Sequence, residues 1–84
     1  MIVTLEEPFD RNMIDIDIPE DTTVKKAISE LVTFLNERYG RNLQVEDVAL
    51  IDNRLDLILP NNKTFAEIGV WNGDYLTLYR HSIG

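Results

Sequence analysis

The 84-residue sequence contains no cysteine and only one histidine, His81. The absence of thiols excludes disulfide bonds, thiolate metal sites and cysteine nucleophiles. A single imidazole excludes a zinc site built on two histidines, and no serine is paired with it in a recognisable motif. The four glycines are scattered and form no phosphate-binding loop. We therefore expect no cofactor, no metal ion and no enzymatic activity.

Basic residues are also few: eight Lys and Arg stand against 15 Asp and Glu, for a formal net charge of -7. The bases are scattered, whereas a nucleic-acid-binding surface needs clustered Lys and Arg. No apolar run approaches the roughly 20 residues of a membrane span, and the first residues lack the pattern of a signal peptide. We expect a cytoplasmic protein, peripheral to a membrane complex at most, that binds protein partners and neither nucleic acid nor membrane.

The pattern of apolar residues predicts a single α+β domain. Short β-rich runs at residues 1–6 and 13–18 flank a turn, and the second alternates isoleucine with aspartate. A helix is predicted at about residues 23–39, because apolar residues recur there at intervals of three and four and Gly40 follows as a stop signal. Its apolar stripe contains Val24, Ala27, Ile28, Leu31, Val32 and Leu35.

The second half predicts strands at residues 48–51, 55–59 and 75–80, after a polar loop at 41–47. Before the last strand, Thr64 and Glu67 have the spacing of a capping box, which indicates one helical turn ended by Gly69. The order β-β-α-β-β-short helix-β predicts a mixed sheet with the long helix packed on one face. We assign residues 1–80 to this domain and residues 81–84 to a short C-terminal tail.

This order and length resemble the β-grasp fold of ubiquitin. The segment Thr64–Val70 resembles ubiquitin's helical turn, and Asn72–Leu78, a Gly-Asp pair before an alternating strand, has a form common in bacterial relatives. An acidic, lysine-poor chain with this ending is similar to the YukD/EsaB family, the ubiquitin-like accessory proteins of type VII (WXG100, ESX-like) secretion systems. The resemblance implies an accessory or regulatory role through docking on subunits of the secretion machinery.

The C-terminal sequence departs from that of conjugated ubiquitin-like proteins. Conjugation requires a tail that ends in Gly-Gly, whereas this sequence ends in Arg80-His81-Ser82-Ile83-Gly84. Ile83 places a β-branched side chain at the position of the second-last glycine, which would crowd a narrow channel. We expect no covalent conjugation. The alternatives are a small β-grasp subunit of a multicomponent enzyme complex and a ubiquitin-like modifier or sulfur carrier.

The candidate docking site lies on the outer face of the sheet. If Leu76 and Leu78 face the helix, alternation turns Thr77 and Tyr79 outward, and the resemblance aligns Tyr79 with a valine of ubiquitin's binding patch. Depending on strand register, Ile2 or Thr4 and Ala49 or Ile51 join them. Trp71 is expected at an exposed loop, either as a docking residue or packed on a neighbouring loop. The candidate protein-binding residues are Tyr79, Thr77, Ile51, Ile2 and Trp71, and the alternative is ordinary scattered surface apolar residues.

Acidic residues are concentrated in the first quarter of the chain. Seven of them accompany one base, Arg11: Glu6, Glu7, Asp10, Asp15, Asp17, Glu20 and Asp21. They indicate either a negative surface that steers a basic partner or a solvated strand face with acids near the start of the helix. His81 lies in the terminal segment, where no contact is expected to hold it.

Overall fold

The computed structural model describes residues 1–81, so Ile83, Gly84 and most of the predicted tail lie outside the described part. Its elements are β1 (Ile2–Glu6), β2 (Met13–Asp17), α1 (Val24–Tyr39), a 3₁₀ turn (Val45–Asp47), β3 (Val48–Asp52), β4 (Leu57–Ile58), α2 (Phe65–Ile68) and β5 (Tyr75–Arg80). The strands form one sheet in the order β2-β1-β5-β3-β4. The central pair β1–β5 is parallel and the others are antiparallel, which confirms the mixed sheet of a β-grasp fold.

Helix α1 begins and ends where the sequence predicts. The hydroxyl of Thr23 accepts a hydrogen bond from the N–H of Lys26, which caps the first turn. Gly40 has a left-handed backbone conformation with φ 62°, which ends the helix at little cost for a residue without Cβ. The predicted apolar stripe is buried against the sheet: Val24, Ala27, Ile28, Leu31, Val32 and Leu35.

The core lies between α1 and one face of the sheet. Strands β1, β3 and β5 each place alternate residues inward, because successive side chains point to opposite faces. Phe65 of α2 is fully buried and covers one end of this core, and the predicted capping box at Thr64 and Glu67 is present. The largest fully buried apolar side chains are Phe65, Leu5, Ile28, Leu35, Leu50, Leu76 and Leu78.

Two segments differ from the sequence prediction. Strand β4 covers Leu57–Ile58 only, because the chain turns before it with Asp56 at φ 52°, a conformation incompatible with a continuing strand. The predicted polar loop at 41–47 carries a buried residue, Leu43. The amide side chain of Asn36 holds it, accepting from the Leu43 N–H at 2.7 Å and donating to its carbonyl at 2.9 Å.

Two expectations about charged and terminal residues were wrong. Glu7, counted with the acidic surface, is completely buried and accepts hydrogen bonds from the backbone of the β1–β2 loop. His81 is held: its N–H donates to the Asp47 carbonyl at 2.9 Å, and its ring lies 5.8 Å from that of Tyr79. Strand pairing therefore continues past β5, into the first residue of the predicted tail.

Candidate functional site

The register between strands decides which residues share the outer face of the sheet. Strand β3 pairs with β5 so that Ala49 lies opposite Tyr79 and Ile51 lies opposite Thr77. Strand β4 pairs with β3 so that Ile58 lies opposite Ile51. The residues that alternate with them along the strands, such as Leu50 and Leu78, are buried and point to the helix. The five residues named in these pairs therefore all face away from it.

We call these five residues the outer patch: Ala49, Ile51, Ile58, Thr77 and Tyr79. Side chains directly opposite one another on antiparallel strands lie about 4.5–5.5 Å apart at Cβ, so the patch is continuous across three strands. None of its members is charged, and Ile58 is 55% exposed. An uncharged surface that includes an aromatic residue and an exposed isoleucine matches the composition of protein interface centres.

The predicted site residue Ile2 lies apart from the outer patch. It is 53% exposed and on the outer face, but parallel pairing sets Thr4 beside Tyr75. Ile2 precedes Thr4 by two residues and Tyr79 follows Tyr75 by four, which separates them by about 20 Å along the strands. Ile2 instead contacts the loop before β5, where its carbonyl accepts a hydrogen bond from the Gly73 N–H.

The same loop carries the fifth predicted site residue, Trp71, which is 62% exposed as expected. The guanidinium of Arg54 lies over its indole, 3.6 Å from the ring centre. Arg54 is positioned by Asp74, to which it donates from Nε at 2.9 Å and from a terminal nitrogen at 3.0 Å, and by the Gly69 carbonyl. Trp71 therefore packs on a neighbouring loop through a cation–π contact. The candidate residues therefore form two separate groups. Tyr79, Thr77 and Ile51 lie in the outer patch, whereas Ile2 and Trp71 lie at the loop before β5.

Behind Trp71 lies a buried pair of carboxyl groups, those of Asp52 and Asp74. Burial raises the pKa of Asp52, and a hydrogen bond with Asp74 raises it further. Burial opposes ionisation of Asp74 too, but hydrogen bonds from Arg54, Asp52 and the Trp71 N–H lower its pKa to about 2. Asp52 Oδ2 is buried without a hydrogen-bond partner among the described residues, whereas Oδ1 accepts from the Leu55 N–H at 3.1 Å.

Charge divides the outer face into two halves. The outer patch on β3, β4 and β5 is uncharged, whereas β1 and β2 present Glu6, Asp15 and Asp17 on the same face. Glu6 pairs with the exposed Arg11 at 3.1 Å. The acidic surface predicted from the sequence thus borders the outer patch, without Glu7.

Sequence reasoning missed three residues of this region: Ile58, Arg54 and Asp52. The one usable signal was alternation along β3, which places Asp52 on the same buried face of the sheet as Val48 and Leu50. The contacts of Ile58 and Arg54 depend on the turn between β3 and β4, and no residue pattern indicated its geometry.

Replacing Trp71 with alanine is expected to lower the free energy of unfolding by less than about 1 kcal/mol. The side chain is mostly exposed, and cation–π contacts at exposed sites contribute about 0.5–1 kcal/mol. Urea denaturation followed by circular dichroism measures the change. A loss above about 2 kcal/mol would show that the indole is part of the core, contrary to its exposure.

Within residues 1–81, no helix has the length and apolar character needed to cross a membrane. The chain is similar in structure to the ubiquitin of Caldiarchaeum subterraneum, with TM-score 0.77 and 15% identity, covering 100% of this chain and 96% of that one. It is also similar to the ubiquitin-like domain of an Arabidopsis thaliana protein, with TM-score 0.74 and 14% identity, covering 99% and 79%. A de novo designed protein based on ubiquitin has TM-score 0.70 and 23% identity, covering 100% and 92%. These likenesses show the ubiquitin-like β-grasp fold.

Among curated protein sequences, none matches this chain significantly. The family model described as WXG100 protein secretion system (Wss), protein YukD, matches residues 1–78, which is nearly the whole chain. This range includes every strand of the described sheet except the last two residues of β5. The chain therefore belongs to the YukD family of the WXG100 protein secretion system.

Proposed function

We propose that this protein is a non-conjugating accessory protein of a bacterial WXG100 secretion system, acting in the cytoplasm. It binds a subunit of the secretion machinery through the outer patch and carries out no chemistry of its own. The family match supports the link to secretion. The observation that carries the docking role is the continuous uncharged surface across β3, β4 and β5, with Ile58 55% exposed at its edge.

The geometry favours Tyr79 as the anchor of this interface. It lies half-buried opposite Ala49 and beside Ile51 and Thr77, with its ring 5.8 Å from that of His81. Aromatic residues at the centre of an interface contribute most of the binding energy, and surrounding apolar contacts exclude water. The acidic half of the sheet face adds a charged rim, which accelerates association with a basic partner.

Replacing Tyr79 with serine is expected to weaken binding to the partner subunit about tenfold or more. Tyr75→Ser is the matched control, because Tyr75 lies on the same strand and face but outside the outer patch. Affinity for purified cytoplasmic segments of the secretion subunits, measured by isothermal titration calorimetry, separates the two variants. Equal losses from both, or no loss from Tyr79→Ser, would contradict docking through the outer patch.

The non-conjugating part of the proposal rests on the sequence. The four glycines are at positions 40, 69, 73 and 84, so no two are adjacent in these 84 residues. Mass spectrometry of the protein recovered from cells is expected to find it without isopeptide links to other proteins. A peptide in which this chain is joined to a lysine side chain would overturn this part and leave the docking test unaffected.

A further inference from the structure

A groove separates the edge strand β2 from helix α1 on the side of the molecule away from the outer patch. Its volume is about 290 Å³. Apolar side chains from both elements line it: Ile16, Ile18, Pro19, Ala27, Leu31 and Phe34. Phe34 is 45% exposed at its border, although it belongs to a helix whose other apolar residues are largely buried. An exposed phenylalanine beside an apolar groove is the kind of surface that binds another protein.

The backbone of β2 is unpaired on the groove side, since β2 is an edge strand of the sheet and pairs only with β1 among the described residues. Its antiparallel pairing with β1 shows which groups are free. The Ile18 N–H donates to the Met1 carbonyl and the Glu7 N–H donates to the Asn12 carbonyl. Hydrogen-bonded pairs alternate with non-hydrogen-bonded pairs along such a ladder. The backbone N–H and C=O groups of the even-numbered residues of β2 are therefore bonded to β1.

The free N–H and C=O groups of β2 therefore belong to Met13, Asp15 and Asp17. All three are exposed, and none of their backbone groups takes part in a turn or loop hydrogen bond within residues 1–81. They are spaced two residues apart, which is the spacing at which an added strand forms its ladder. A row of free groups beside an apolar groove is what an extended peptide needs to bind by strand addition.

Charge indicates the chemistry of such a peptide. Asp15 and Asp17 point to the outer face of β2, and Glu30 of α1 lines the groove. Asp17 contacts the amino group of Met1 at 3.2 Å, whereas Asp15 accepts from the Thr4 hydroxyl and has no cationic partner within residues 1–81. An added strand would place every second side chain beside Asp15 and Asp17, and the side chains between them over the groove.

We propose that β2 and α1 form a second binding site, separate from the outer patch, for an extended segment of a partner protein that alternates apolar with basic residues. The segment extends the sheet beyond β2. Its backbone bonds to Met13, Asp15 and Asp17, its apolar side chains enter the groove against Phe34 and Leu31, and its Lys or Arg side chains lie beside the two aspartates. A second copy of this chain fits less well, because β2 paired with β2 brings aspartates of like charge together.

The probe is the blocked peptide Lys-Val-Lys-Val-Lys-Val-Lys, compared with a peptide of the same composition in which the valines and lysines form two blocks. Hydrogen exchange of ¹⁵N-labelled protein is followed by NMR with each peptide. With the alternating peptide at saturation, exchange at the N–H groups of Met13, Asp15 and Asp17 is expected to slow at least about tenfold. The N–H groups of Ile14 and Ile16, already bonded to β1, are expected to change little.

Two pairs of variants test the side chains. Phe34→Ala is expected to weaken binding of the alternating peptide about tenfold, whereas Leu57→Ala, at the opposite edge and 43% exposed, has no effect. Asp15→Asn is expected to weaken binding about threefold and to reduce its salt dependence, whereas Asp56→Asn on the distant turn does neither. Each substituted residue is exposed, so the variants retain the fold.

The proposal is overturned by equal binding of the block peptide, by chemical-shift changes confined to another surface, or by no binding at millimolar peptide. Protection of the same N–H groups that grows with protein concentration in the absence of peptide would instead assign the edge to self-association. Tyr79→Ser is expected to leave peptide binding unchanged. Failure of this proposal is therefore distinguishable from failure of docking through the outer patch.

Discussion

Replacing Glu7 with alanine is expected to lower the free energy of unfolding by about 3 kcal/mol. The Glu7 carboxylate is completely buried and accepts backbone hydrogen bonds from Phe9 at 2.7 Å, Asp10 at 2.9 Å and Asn12 at 3.0 Å. These bonds close the loop between β1 and β2. Hydrogen bonds to a charged group are worth more than neutral ones, and their loss leaves N–H donors without an acceptor.

The neighbouring residue provides the control. Glu6 has the same side chain but points to the outer face, where its partner Arg11 has an exposed side chain. Glu6→Ala is therefore expected to cost less than about 1 kcal/mol. Thermal and urea denaturation of both variants measure the difference. Equal effects from the two substitutions would show that the loop does not depend on the buried carboxylate.

Glu7 also predicts a dependence of stability on pH. Burial raises the pKa of Glu7, but hydrogen bonds from the N–H groups of Asn12, Phe9 and Asp10 outweigh it and hold the pKa below its usual range. A depressed pKa in the folded state contributes stability above the usual pKa of glutamate, and this contribution is lost as pH falls through the folded value. The loss of unfolding free energy caused by Glu7→Ala is therefore expected to become smaller in acid.

The second large effect involves the buried pair of Asp52 and Asp74, whose amide variants are expected to change stability in opposite directions. Asp74→Asn is expected to cost about 2 kcal/mol at pH 7, because the Asp74 carboxylate accepts from Arg54 and from the Trp71 N–H. Asp52→Asn is expected to stabilise the protein at pH 7. This substitution removes a carboxyl group whose ionisation is opposed by burial and by the neighbouring Asp74, and the amide oxygen still accepts from the Leu55 N–H.

The contributions of Asp74 and Asp52 to the free energy of unfolding change with pH in opposite directions. The pKa of Asp74 is about 2, below its usual value of 3.8, so its contribution is present above pH 4 and is lost as pH falls toward 2. The pKa of Asp52 is raised by burial and by Asp74, so the folded state loses stability as pH rises above the usual value of 3.8. The gain from Asp52→Asn is therefore expected above pH 4, and the loss from Asp74→Asn is expected to fade in strong acid.

Urea denaturation between pH 2 and pH 8 measures both profiles. Asn53→Ala is a suitable control, because this exposed residue lies next to Asp52 and outside the carboxyl pair. Destabilisation by Asp52→Asn at pH 7 would contradict the raised pKa of Asp52. A profile of Asp52→Asn parallel to that of the natural protein would contradict it equally.

Most elements were predictable because their signals are local. The apolar stripe of α1, its cap at Thr23 and its stop at Gly40 depend on residues within a few positions of one another. The same holds for the capping box at Thr64 and Glu67. The predicted strand at 55–59 is shorter in the structure, because the chain turns at Asp56 with positive φ. The burial of Leu43 was missed, because it depends on the side chain of Asn36, a helix residue seven positions earlier.

The candidate site was predictable only in part. Alternation placed Tyr79 and Thr77 on the outer face, and the observed register brings Ile51 beside Thr77. The same alternation, continued along β1 and β3, would have placed Glu7 and Asp52 inside, but carboxylates at such positions find partners only in the folded chain. Whether the outer patch and the groove bind partners stays a prediction for the experiments above.

The sequence by itself determined the order of elements, the inward faces of α1 and the strands, and the scarcity of groups for chemistry, because each follows from residue type and local period. Only the tertiary structure decided that Ile2 lies about 20 Å along the strands from Tyr79, because parallel pairing of β1 with β5 sets this offset. It also decided which acids stay on the surface. Register and burial arise from contacts between residues distant in sequence, which no local pattern specifies.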